Sequence, residues 1–212
     1  MQRLYFETRR LADTHLLFLV DPDDPEVERY REVVTALVLP SRRGFVGALN
    51  YAVDHLGVDA HAIWGAFGDD VAFRSAGWDE RVVAALQTPG IAYGDDLIHG
   101  ARHPSAVWVS SLIVRALDWL ALPATSHQWA DDGWKAIGES MNLLRFLPDV
   151  IVEHMHPAVG KAEWDDTYEG VFTAVRAERD HAGFEAWKRH WMAADLGKIG
   201  VALDARDTRR RE

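Results

Sequence analysis

Two acidic triplets are the residues best placed by type to do chemistry: Gly68-Asp69-Asp70 in WGAFGDDVAF and Gly94-Asp95-Asp96 in GIAYGDDL. The first closes an apolar run, Ala60–Phe67, that reads as a buried strand. Its carboxyl end would deliver Asp69 and Asp70 into the crevice where α/β sheets bind ligands. Two adjacent carboxylates there suit a hard divalent cation carrying a phosphate-bearing substrate, the plain alternative being an acidic turn. His154 and His156 in VIVEHMHP alternate along a second expected strand, so they share one face and form a plausible metal-ligand set. Arg43 and Gly44 in PSRRG open a helix, where unpaired N–H groups and the helix dipole favour an anion. Asp131 and Asp132 stand just ahead of another helix, where acids are also ordinary caps.

The elements that must position these groups follow from periodicity. Leu4, Tyr5, Thr8 and Leu11 predict an amphipathic helix over residues 1–12. Strands are expected at His15–Val20 and Thr35–Leu39, with a short helix at Glu26–Val33 after the proline-bounded DPDDPE turn. A helix over Phe45–Leu56 precedes the Asp69-Asp70 strand, and one over Asp79–Leu86 follows it. Gly90–Tyr93 is a short strand, Ala106–Leu120 is apolar and helix-capable from about Ser110, and Phe146–His156 is a strand. Alternation of strands and helices predicts an α/β sheet, largely parallel and covered on both faces. From Glu169 to Ala194 the pattern is helical, with Phe184, Trp187 and Trp191 on apolar positions that suit packing on the domain or on a second copy. The end, DARDTRRRE, is polar and expected to fray.

Composition narrows the function classes. The chain has 212 residues, 48% apolar, enough for one large core. It has no Cys, which removes disulfides, thiolate metal sites and a Cys nucleophile and fits a reducing cytoplasm. No apolar stretch reaches the roughly 18 residues of a membrane span. A formal charge of −10 argues against a broad basic surface for nucleic acid, though a local one including Arg102, His103 and Arg115 remains open. Nine Trp residues suit sugar rings or bases as well as cores, Trp129 and Trp134 being the two nearest the Asp131 segment.

Taken in order, VDPDDPE, LPSRRGFVGALNYAV, WGAFGDDVAFRSAGWD, HQWADDGW and VIVEHMHP with GKAEWDDTY resemble the GT-A nucleotide-sugar glycosyltransferases of the family 2 type, nearest to their compact phage-associated branch. The resemblance implies a Rossmann-like, mostly parallel GT-A sheet in residues 1–168 and a helical extension over residues 169–212. It implies that Asp21, Arg43, Gly44, Asn50 and Asp69 contact the donor, and that Asp70 with His154 or His156 holds a divalent metal, Mn2+ or Mg2+. Asp131, with Asp132 as alternate, would be the general base of an inverting transfer from a UDP-sugar to an acceptor hydroxyl. A modified DNA base is one acceptor consistent with that branch, in the host cytoplasm if the chain is phage-encoded, with a homodimer through the C-terminal helix as a further expectation.

The sequence departs from the family in two places. The strand that opens family members, ahead of the helix expected at Met1, has no counterpart, which leaves HLLFLV and TALVL at an exposed edge. Val71 removes a polar ligand after the acidic pair. Two other functions fit the same residues: a metal-dependent phosphoesterase or nucleotide hydrolase, and a non-catalytic relative that binds a sugar or a partner.

Overall fold

A computed structural model describes residues 13–211 apart from residues 165 and 172. The helix expected over residues 1–12 lies outside the described residues. Two sheets form. Strands β1 (Phe18–Val20) and β2 (Ala36–Val38) pair in parallel, Phe18 opposite Ala36, and helix α1 (Val27–Val33) connects them. The larger sheet contains β3 (Ile63–Ala66), β4 (Val71–Phe73), β5 (Ile91–Asp95), β6 (Val107–Ser110) and β7 (Leu144–His154), in the order β3-β6-β5-β7-β4.

The chain is therefore α/β, but the larger sheet is mixed and not largely parallel. Only β5 and β7 run in parallel, while β6 is antiparallel to both β3 and β5, and β4 is antiparallel to β7. The cause is two unexpected strands, β4 and β6. The run Val107–Val109 is apolar and, with Ser110, buried throughout, so it shows no strand alternation. It forms a central strand, and the helix expected from about Ser110 to Leu120 is shorter, α4 (Ser111–Leu117).

The order also requires curling. Strands β3 and β4 lie at opposite ends of the sheet yet are joined by residues 67–70 alone. Five flat strands span about 19 Å, more than the roughly 16–18 Å that this connection reaches when fully extended. Inside the curl, the Phe67 ring packs against Phe73 at 5.3 Å and Trp108 at 5.2 Å.

Alternation then divides the core. Ile91, Tyr93, Val107 and Val109 face one layer, formed with α2 (Gly44–Leu56), α4, α5 (Ala130–Ser140), α7 (Ala174–His190) and α8 (Met192–Arg211). Ala92, Ala106 and Trp108 face the other with Phe73 and with Trp78 and Val82 of α3 (Trp78–Ala85). Phe184, Trp187 and Ile199 of the C-terminal helices are buried in the first layer, so these helices complete the main core. The expected frayed end is instead helical to Arg211, and Arg206 donates to the Gln87 carbonyl at 3.1 Å. Among the described residues, no helix is long and apolar enough to cross a membrane.

Candidate active site

The site grows out of the end of β7. Antiparallel pairing sets Val71 opposite His154, and the Met155 N–H donates to the Asp70 carbonyl at 2.7 Å. From the other side the His154 N–H donates to the Asp96 carbonyl at 3.1 Å. Both Gly-Asp-Asp triplets thus converge through their backbones on His154 and Met155.

Side chains build on that frame. His154 Nε2 lies 2.9 Å from Asp70 Oδ2, and the Tyr168 hydroxyl, on the short helix α6 (Asp166–Val171), donates to the same oxygen. Burial by itself would raise the Asp70 carboxyl, but the hydrogen bonds from His154 and Tyr168 outweigh it and hold it at about 2. The same bond raises the His154 imidazole against its burial, and the Asp96 and Asp131 carboxylates act in the same direction. His154 Nδ1 is buried with no hydrogen-bond partner among the described residues. A Cβ at Gly68 would lie 2.5 Å from Asp70 Oδ1, so a side chain there would have to displace the carboxylate that His154 and Tyr168 hold.

His156 adjoins this pair, its ring edge-on to His154 at 5.1 Å and to Tyr168 at 5.3 Å. The Ala158 N–H donates to its Nδ1 at 3.0 Å, which fixes the ring. Burial, with the neighbouring His154, lowers its pKa and favours the neutral imidazole, the form that ligates metals. Glu153 points to the opposite face, where Arg74 at 2.7 Å and Lys161 at 2.9 Å neutralise it.

Asp96 is almost wholly buried and organises the facing loop. Its Oδ1 accepts from the N–H groups of Ile98, His99 and Gly100, and its Oδ2 meets the Ser105 hydroxyl at 2.8 Å and His99 Nδ1 at 2.7 Å. Burial is again outweighed by these bonds, and the carboxyl lies well below its ordinary value. The loop carries His103, whose Nε2 is 3.4 Å from Asp131 Oδ2. Packing around Asp131 raises its carboxyl and only partly yields to His103, whose own pKa Asp131 raises. Asp131 and Asp132 lie in the first turn of α5 and not at its cap, which is Trp129 in the left-handed region.

The donor-side residues divide. Asp21, just past β1, pairs with Arg42 at 3.3 Å, and Arg42 also reaches Asp23. Arg43 is elsewhere, its guanidinium 4.6 Å above the Tyr51 ring. Gly44 begins α2 with φ +65°, close beneath the Ser126 carbonyl that accepts from the Val46 N–H at 3.2 Å. Asp69 is exposed, and its charge acts on Tyr30 of α1, whose hydroxyl burial and Asp24 also raise. The Asn50 amide is committed to backbone: its oxygen accepts from the Leu120 and Ala121 N–H groups and its nitrogen donates to the Ala121 carbonyl at 2.8 Å. It holds the turn after α4.

Trp129 stacks on His181 at 4.4 Å, and Trp134 is buried with its indole donating to the Leu120 carbonyl. Both are packing residues. Arg102, His103 and Arg115 do not build one basic surface: Arg102 bonds carbonyls of its own turn, His103 faces Asp131, and Arg115 pairs with Asp59.

Among the described residues, no three His, Asp or Glu side chains converge as a metal-binding group. Asp70 and His154 offer a carboxylate and an imidazole, donors of the kinds divalent cations take, and their 2.9 Å contact is a hydrogen bond whose proton lies between the two atoms. Sequence reasoning did not single out Tyr168 or Asp180, or pair His103 with Asp131, because each contact crosses between distant segments. No family model, no curated protein and no solved structure matches the chain.

Proposed function

We propose that this chain is a glycosyltransferase of the GT-A kind, moving a sugar from a nucleoside diphosphate, UDP being the expected one, to an acceptor hydroxyl. One observation carries the reading. A depressed carboxylate, Asp70, hydrogen-bonded to His154, and a raised one, Asp131, both act on the His154 imidazole and have opposite tendencies toward protons. Two carboxyl groups whose surroundings push their pKa values apart are the arrangement expected of a charge-binding group and a proton acceptor.

In this reading Asp70 and His154, after giving up the proton that lies between them, would hold a divalent cation together with the donor's phosphates, with His156 adjoining, and that cation would supply neutralisation of the charge that builds on the departing phosphate. Asp131 accepts the acceptor's hydroxyl proton as the new bond to the anomeric carbon forms and the bond to phosphate breaks. Its raised pKa makes it the stronger base, and His103 orients it. Asp69 and Asp21 face the donor's ribose and nucleoside.

Incubation with a panel of nucleotide sugars and manganese tests the function. Donor cleavage or transfer, abolished by a chelator, is the expected result. Binding of two cations with phosphoester cleavage but no use of any sugar nucleotide would replace it with a hydrolase.

A further inference from the structure

Asp180 lies in α7, a helix to which sequence reasoning assigned only packing, and it is almost completely buried. Its carboxylate points at the loop leading into α5. Oδ1 accepts from the Ser126 N–H at 3.0 Å, Oδ2 from the N–H groups of His127 at 2.9 Å and Gln128 at 3.0 Å, and the Ser126 hydroxyl lies 3.0 Å from both oxygens. Three consecutive backbone donors aimed at one buried carboxylate fix a loop far more firmly than apolar contact would, because bonds to a charged acceptor are stronger and directional.

Two further contacts show that α7 is shaped to this loop. Gly183 allows the helix to approach the Ala124 carbonyl, where a Cβ would lie only 2.0 Å away. His181 and Phe184 stack on Trp129, at 4.4 Å and 5.6 Å, two residues before Asp131. The Ser126 carbonyl reaches the opposite way, accepting from the Val46 N–H at the start of α2.

We propose that Asp180 is a positioning residue, which clamps residues 126–128 so that Asp131 is presented to His103 and the proton-accepting side of the site is held against the start of α2. The kinetic part of this inference rests on Asp131 being the base, whereas the geometric part does not.

Asp180→Asn and Ser126→Ala are compared with the wild type by circular dichroism, by NMR titration of the His103 ring, by calorimetry with UDP and manganese, and by steady-state kinetics. His103 reports the position of Asp131 directly, its other neighbours being Asp132, Lys135 and the His99 ring. In Asp180→Asn the amide N–H group opposes backbone donors, so the loop shifts. The His103 titration then moves down toward its ordinary value, and kcat falls about 100-fold, the scale of a displacement near 1 Å. The affinity for UDP and manganese changes less than about three-fold, since the Asp70 side does not depend on the clamp. Ser126→Ala keeps the three backbone donors and shows the same shifts in smaller degree. It decides the matter if Asp180→Asn does not fold. Lower thermal stability with the His103 titration unmoved in the folded variant would make Asp180 merely structural and overturn the proposal. A wild type that binds no UDP and uses no donor would sink the glycosyltransferase reading, while the His103 comparison would still decide the role of Asp180.

Discussion

His154 Nε2 and Asp70 Oδ2 stand 2.9 Å apart because β4 and β7 pair with Val71 opposite His154. A three-residue strand at the sheet's edge therefore sets the central contact of the site. Tyr168 adds its hydroxyl to the same carboxylate oxygen, so the acid is held by groups from two other segments, β7 and α6.

That pairing makes stability depend on acid. Asp70 is held at about 2 against an ordinary 3.8, so its contribution is present above the ordinary value and is lost as pH falls through 2. The shift corresponds to about 2 kcal/mol. Wild type should therefore be more stable than Asp70→Asn above about pH 4 and lose that advantage as pH falls toward 2, measured by urea unfolding at successive pH values. Equal acid dependence in both proteins would show that the pair is not formed.

Asp131 should govern the acidic limb of activity. Its raised carboxyl must be ionised to accept a proton, so the rate rises with pH through a value above that of an ordinary aspartate and falls below it. Asp131→Asn should lower turnover about 100-fold or more with UDP and manganese affinity preserved. A pH–rate profile and calorimetry check the two halves separately.

Asp96 is a structural acid despite its Gly-Asp-Asp setting. It satisfies three backbone N–H groups, a hydroxyl and an imidazole while nearly inaccessible to solvent. Asp96→Ala leaves those groups unpaired and should cost about 3 kcal/mol. Chemical denaturation measures this, and a loss under about 1 kcal/mol would contradict the network.

Asn50 separates support from donor contact. Its amide closes on Leu120 and Ala121 with bonds of 2.8 and 2.9 Å, so Asn50→Ala should destabilise by about 2 kcal/mol. The affinity for UDP, measured on the folded variant, should stay within about two-fold. A large loss of affinity with little loss of stability would return Asn50 to the nucleotide pocket.

Local pattern was enough to read much of this protein. The strand that carries His154, the helix opening at Gly44 and the acidic residues following β3 are consequences of spacing along a few residues, although that strand ends at His154 and leaves His156 in the loop beyond it. Those same rules located the helical C-terminus, though not its reach to Arg211 or its place in the main core. The tertiary structure decided what depends on contacts between distant segments. Strand β6, buried on both faces, has no periodicity to announce it, and its direction makes the sheet mixed. Asn50 and Trp129 offer polar and aromatic groups that suit a ligand as well as a neighbour, and only the fold shows that neighbours occupy them. Asp131 meets His103, and Asp180 meets Ser126, across separations that no sequence period records. Composition and spacing specify which residues can bind charge or move a proton, but the curled sheet and the C-terminal helices determine which of them meet.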